Sequence, residues 1–306
     1  MNKPLTLEEK IVGCLTIDNI DFGIAIQHVE SGEETSINGE AVFPTASVFK
    51  VPVMVEVFKQ AHQGKFDLDD RLELKDEYKT LTTGVLLTLQ EGLMLSIRDL
   101  MMLMTIVSDN VATTMLLNLV GAENVTQTMH ELGFKSMSIV MTVHEMFLYA
   151  FGIPEQTNIS LPALQARASE VQMDYNSRTF SCEKDNNVSS ALDMTRLMAK
   201  IYKGEIIDAD ACREMVEMMR NQQYNSRVPR YLPWRSVPHK TGTMRGLRND
   251  SGIITCSENS HAAFTVFSFD KTPLTMSNHR RGENRTQIVE ELMGEIGYTI
   301  YEHYQK

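Results

Sequence analysis

The sequence is short of several things, and each shortage closes off a class of function. Its 29 lysines and arginines face 40 aspartates and glutamates, for a formal net charge of −11. A face that binds a phosphate backbone needs a surplus of cations, so the composition argues against nucleic acid and for an acidic, solvated surface. Only four cysteines occur, Cys14, Cys182, Cys212 and Cys256, and no two stand at Cys-x-x-Cys spacing. That excludes a cysteine metal centre and predicts scattered thiols rather than a disulfide framework. His144-Glu145 does not open a zinc-binding His-Glu-x-x-His, because position 148 is leucine, and a lone histidine reads as structural. The most apolar stretch, 93–107, is broken by Arg98 and Asp99, so no membrane span is expected. Residues 1–10 lead into no apolar leader, and as written the chain reads as cytoplasmic.

A chain of 306 residues with 42% hydrophobic content can bury a large core, as one domain or as two interleaved units. The stretch that organises it is Pro44-Thr45-Ala46-Ser47-Val48-Phe49-Lys50-Val51-Pro52. If a helix starts at Ser47, Lys50 at i+3 shares its face one turn on, placing a nucleophile beside a base. Ser-x-x-Lys recurs at Ser181 to Lys184 and at Ser268 to Lys271, but the first lies in a polar loop pattern and the second follows a strand pattern. Only Ser47 opens an apolar helical pattern, through Val48, Val51, Val55 and Phe58. Pro52 should strain or kink its second turn. Taken alone, Ser47 reads as an N-cap.

Two further motifs change that reading. Ser108-Asp109-Asn110 occurs once, 61 residues after Ser47, at a bend between two helical patterns; Lys240-Thr241-Gly242 occurs once, on an expected strand. In this order the three resemble the signature of the serine penicillin-recognising enzymes, and within them the class A beta-lactamases. The resemblance covers 43–64, 93–133, 188–204 and 238–255. It implies an α/β fold: an antiparallel sheet flanked by helices, formed by both chain ends (1–43 and 221–306), with an inserted all-helical subdomain (44–220). It also implies acyl transfer without metal or organic cofactor.

By the same resemblance, Ser47 is the nucleophile and Lys50 its base, with Lys240 nearby to depress the amine's pKa. Ser108 would bridge the two lysines and pass a proton to the leaving nitrogen. The backbone N–H groups of Ser47 and Thr243 would form the oxyanion hole. Asn110, Thr241, Gly242 and Arg248 would bind a small substrate bearing a carboxylate, with Arg245 able to stand in for Arg248. Asp109 reads as a residue that holds backbone.

The resemblance fails between about 139 and 187, a segment longer than it implies, in which 161–171 reads as a helix. Relatives carry there a glutamate followed by proline and, four residues on, an asparagine; the glutamate activates the water that cleaves the acyl-enzyme. Glu145, Glu155 and Glu183 are candidates, but each departs from that pattern and reads first as a surface carboxylate. Two outcomes stay open: a hydrolase that turns over, on beta-lactams or on another amide or ester, and a penicillin-binding or sensor-like protein that stays acylated. Relatives are usually exported, which would apply here if a leader has been removed.

Overall fold

The computed structural model describes residues 4–81, 83–154, 157, 159–272 and 279–305, with side chains from 285 onward in the last stretch. Along the chain come α1 (Leu7–Cys14), β1 (Ile20–His28), β2 (Glu34–Ile37), β3 (Val42–Pro44), α2 (Lys50–His62), β4 (Arg71–Glu73), β5 (Met94–Ser96) and α3 (Ile97–Ile106). Then follow α4 (Asn110–Val120), α5 (Ala122–Glu131), α6 (Val143–Ala150), α7 (Leu161–Glu170), β6 (Val188–Ser190), α8 (Ala191–Lys203) and α9 (Ala209–Arg220). The chain closes with β7 (His239–Met244), β8 (Leu247–Ser257), β9 (Ser260–Asp270) and α10 (His279–Tyr304). These residues form two compact units, one of 1–48 and 190–306 and the other of 49–189.

The first unit holds a five-stranded antiparallel sheet in the order β2-β1-β9-β8-β7. Alternation buries one face of β1 through Phe22, Ile24 and Ile26, which pack with Leu7 and Ile11 of α1 and with Met293, Ile296 and Ile300 of α10. The four-residue spacing of Leu292, Ile296 and Ile300 gives α10 its buried stripe. β8 runs further than its apolar core suggests, since polar Asn249, Asp250 and Ser251 are also buried and hydrogen-bonded within the sheet.

The second unit is mostly helical. α2 is buried on nearly every side, from Val51 through Phe58, as an all-round apolar helix must be. Pro52 does not stand in the second turn of a helix begun at Ser47, where a kink was expected. The chain turns from a 3-10 helix (Ala46–Phe49) into α2 at Lys50, so Pro52 falls in the first helical turn, where no intrahelical partner waits for an amide hydrogen. Ser96 caps α3 by accepting the Asp99 N–H, and Asp109 caps α4.

The 139–187 segment belongs to this unit and is ordered around α6 and α7. Leu148, Phe151 and Leu164 form its own small core, with Leu81 packed against it. Its neck is closed by Asn187, whose Oδ1 accepts from the N–H of Val140 (2.8 Å) and Met141 (2.9 Å) while Nδ2 donates to Met141 O (2.9 Å). No disulfide joins the four cysteines; Cys212 and Cys256 are buried and the other two are half-buried. No helix among the described residues is long and apolar enough to cross a membrane, and none of their acidic, histidine and cysteine side chains group to hold a metal ion.

Candidate active site

In the second unit the amine of Lys50 is sealed from solvent and ringed by three oxygens. Nζ donates to Ser108 O (2.8 Å), Ser108 Oγ (3.0 Å) and Asn110 Oδ1 (2.8 Å). Burial pushes its pKa from 10.5 down to about 7, against the opposing pull of the Asp109 carboxylate. The three acceptors suit an ammonium and burial favours the free amine, so both forms are populated near neutrality. That is the balance a general base requires.

The Ser108–Asn110 turn owes its shape to Asp109. Its Oδ1 accepts from the N–H groups of Val111 and Ala112, and its Oδ2 from those of Val85 (2.6 Å) and Leu86 (2.9 Å). The second pair ties the turn to residues 83–86, where Gly84 at φ +109 leaves no room for a side chain: a Cβ would sit 2.3 Å from Asp109 Oδ2. Ser108 itself holds φ +57, a left-handed conformation uncommon outside glycine.

In the first unit, Ser47 and the Lys240-Thr241-Gly242 strand are neighbours. Asn249 of β8 donates from Nδ2 to Pro44 O (2.9 Å), and a Cβ on Gly242 would lie 2.5 Å from Thr45 O and 3.0 Å from Val48. Only glycine lets β7 approach the backbone that presents Ser47 this closely. Ser47 is half-exposed in the 3-10 turn, and Ala46 before it holds φ +43, a second strained non-glycine residue at a motif serine. Lys240 is buried and its Nζ donates to Thr241 O (2.8 Å). Thr243 pairs with Arg248 across the β7–β8 ladder and is exposed.

Arg248 directs its guanidinium along its own hairpin, donating to Met244 O (2.9 Å) and Leu247 O (2.8 Å), with Nε 3.4 Å from Glu290 Oε1. The guanidinium that reaches a β7 side chain is Arg227. Buried, it donates to Gly242 O (2.9 Å), Asn249 O (2.7 Å) and Thr243 Oγ1 (2.6 Å). Burial lowers its pKa, opposed by Asp250 and Glu290. Sequence reading missed Arg227, which lies in a proline-punctuated crossing with no motif of its own; its partners are 15 to 22 residues away in the chain. Between β7 and β8, His239 Nδ1 and Asp250 Oδ1 form a fully buried pair at 2.7 Å.

Of the three glutamates, Glu145 completes a capping box at the start of α6. Its carboxylate accepts from Thr142 N (2.6 Å) and its own N–H donates to Thr142 Oγ1. Glu183 is exposed in a loop, and Glu155 lies outside the described residues.

Comparison with known proteins follows the same lines. The model of the beta-lactamase enzyme family matches residues 6–304. Beta-lactamase VEB-1 of Pseudomonas aeruginosa is 22% identical, over 96% of this chain and 89% of its own. The crystal structure of a beta-lactamase from Chitinophaga pinensis is similar at TM-score 0.75 and 26% identity, covering 97% of this chain and 98% of that one. A variant of PBP-A, solved as an acyl-enzyme complex with penicillin G, shares the fold at TM-score 0.74 and 22% identity, covering 97% and 95%. With its family model matched almost end to end, this chain belongs to the beta-lactamase enzyme family.

Proposed function

We propose that this protein is a serine hydrolase that opens beta-lactam rings, or a related amide or ester, through an acyl-Ser47 intermediate. The observation that carries the reading is the buried Lys50 amine at a pKa of about 7, three residues after Ser47 and hydrogen-bonded to Ser108 Oγ. As Lys50 takes the proton, Ser47 Oγ attacks the carbonyl carbon, and the oxyanion is met by the N–H groups of Ser47 and Thr243. The C–N bond then breaks, with Ser108 passing a proton to the leaving nitrogen. Lys240 supplies positive charge, Asn110 holds the acyl side chain, and Thr241 and Gly242 line the strand that takes the substrate carboxylate. Arg227, through its hold on Thr243, is the cation we assign to that end of the strand, ahead of Arg248.

A second reading, a protein that is acylated and stays so, is favoured by one observation: the capping-box role of Glu145 takes that carboxylate out of water activation. Steady-state hydrolysis of a chromogenic cephalosporin, with Ser47→Ala as control, separates the readings. Hydrolysis that Ser47→Ala abolishes supports the hydrolase; a single stoichiometric burst supports the trap; hydrolysis that survives in Ser47→Ala sinks both.

A further inference from the structure

The chain is acidic as a whole, yet one stretch of the first unit reverses the sign. Between Glu217 and Asp250 no aspartate or glutamate occurs, while six arginines and one lysine do. Arg227, Lys240 and Arg248 of that stretch are engaged by β7 and its hairpin. Arg220, Arg230 and Arg235 belong instead to the crossing from α9 to β7, which also carries the only tryptophan, Trp234.

Residues 233–236 form a tight turn, in which the N–H and the hydroxyl of Ser236 both donate to Pro233 O (3.1 and 2.7 Å). Arg235, its third residue, holds φ +61, a conformation that favours glycine. Both flanks are anchored. Leu232 packs against the apolar core and Val237 lies within it, and the N–H of Thr255 on β8 donates to Ser236 O (3.1 Å). The crossing also lies directly on α10, where a Cβ at Gly294 would come within 2.9 Å of Arg230 Cβ. Between these fixed flanks Trp234 is 80% exposed, and Tyr231 beside it 51%. The fold thus holds a strained arginine in order to present an indole to the outside.

The charge around the turn is positive. Arg235 Nη2 donates to Asn221 Oδ1 (2.9 Å), and Arg235 has no ion pair among the described residues. Arg220 Nη1 donates to Arg235 O (3.0 Å), and its Nε lies 3.0 Å from Glu217. Arg230 stacks over the Tyr231 ring at 5.7 Å, with Nη2 3.4 Å from Glu291. Three guanidinium groups therefore stand against two carboxylates.

We propose that the 233–236 turn docks on an anionic membrane surface, with the Trp234 ring in the interfacial layer of the bilayer and Arg235, backed by Arg220 and Arg230, on lipid phosphates. An indole is apolar in body and polar at its N–H, and settles at headgroup depth; a guanidinium meets a phosphate with two parallel hydrogen bonds. The interfacial layer accepts a protruding ring as it stands, whereas a protein partner must bring a pocket shaped to it within a far larger complementary patch. The net charge of −11 keeps the rest of the surface off an anionic bilayer and leaves this turn as the point of approach. The contact is peripheral, and it does not depend on the acyl-Ser47 reading.

Because Trp234 is the only tryptophan, its fluorescence reports the contact directly. Vesicles of equal parts phosphatidylglycerol and phosphatidylcholine should shift its emission to the blue and carry the protein down on centrifugation, and added salt should weaken both effects. Vesicles of phosphatidylcholine alone should do neither. Trp234→Ala should bind the anionic vesicles at least about tenfold more weakly, through loss of its large aromatic surface. Arg235→Asn, which tolerates the left-handed φ, should bind about fivefold more weakly, the worth of one cation near an anionic surface. Far-UV circular dichroism shows that each variant is folded, and Trp234→Phe replaces Trp234→Ala if that one is not. Absence of a shift and of co-sedimentation with anionic vesicles overturns the proposal, as does equal binding to neutral ones or wild-type binding by Trp234→Ala. A blue shift with polyglutamate and none with vesicles also overturns it, and assigns the turn to an acidic protein partner.

Discussion

The Ser108–Asn110 turn and the 139–187 segment sit in the same compact unit and are held in opposite ways. Each oxygen of the fully buried Asp109 carboxylate is taken by two backbone N–H groups, and the turn keeps a left-handed serine that its surroundings over-determine. The 139–187 segment has a private core of Leu148, Phe151 and Leu164 and is tied at its neck by several separate contacts, among them the Asn187 side chain, the Ser138–Val188 bridge and Thr126 Oγ1 on Ile139. Ser108 and Asn110 are thus built into a frame that admits little change. The 139–187 segment, with its own small core, is held by scattered contacts rather than by one buried carboxylate. This is a physical reason for the motifs to be legible here while the water-activating glutamate motif is not.

The comparison breaks most severely at Lys50. Replacing it with methionine keeps the volume and removes the base, so the acylation rate should fall by about 10²–10⁴-fold in a stopped-flow assay. In the wild type that rate should rise with pH through about 7, because the active amine is the deprotonated form and burial has lowered its pKa. A midpoint near the ordinary lysine value would mean that the amine is not sealed as described.

Gly84→Ala probes the turn with a single methyl group. The added Cβ meets Asp109 Oδ2 and forces an alanine to φ +109, so thermal denaturation should show a loss of about 3 kcal/mol, with acylation weakened in parallel. Asn187→Ala probes the module. It strips partners from the N–H groups of Val140 and Met141 and should cost about 1–3 kcal/mol. Proteolytic cuts should then concentrate within 139–187 while the acylation rate holds. Equal losses of acylation in the two variants would erase the contrast between frame and module.

Much of this was open to sequence reading. Ser47 and Lys50 stand out because a helical i, i+3 relation is local, and α10 announces itself by Leu292, Ile296 and Ile300. The rest depends on contacts distant in the chain. Arg227 matters because its guanidinium finds Gly242 O, Asn249 O and Thr243 Oγ1, and nothing near residue 227 in the sequence says so. Pro52 was expected to kink a helix begun at Ser47, because a 3-10 start that shifts the α-helix to Lys50 leaves no mark in residue pattern. Glu145 was readable as a helix residue, yet its capture by Thr142 is a matter of rotamer and reach.

The central claim is that Ser47 is the residue acylated. The most direct measurement is intact mass followed by peptide mapping of wild type and Ser47→Ala after brief exposure to a penicillin at neutral pH. The account predicts one adduct per wild-type chain, carried on Ser47, and none in the variant. An adduct on any other residue, or labelling that persists in Ser47→Ala, would contradict it.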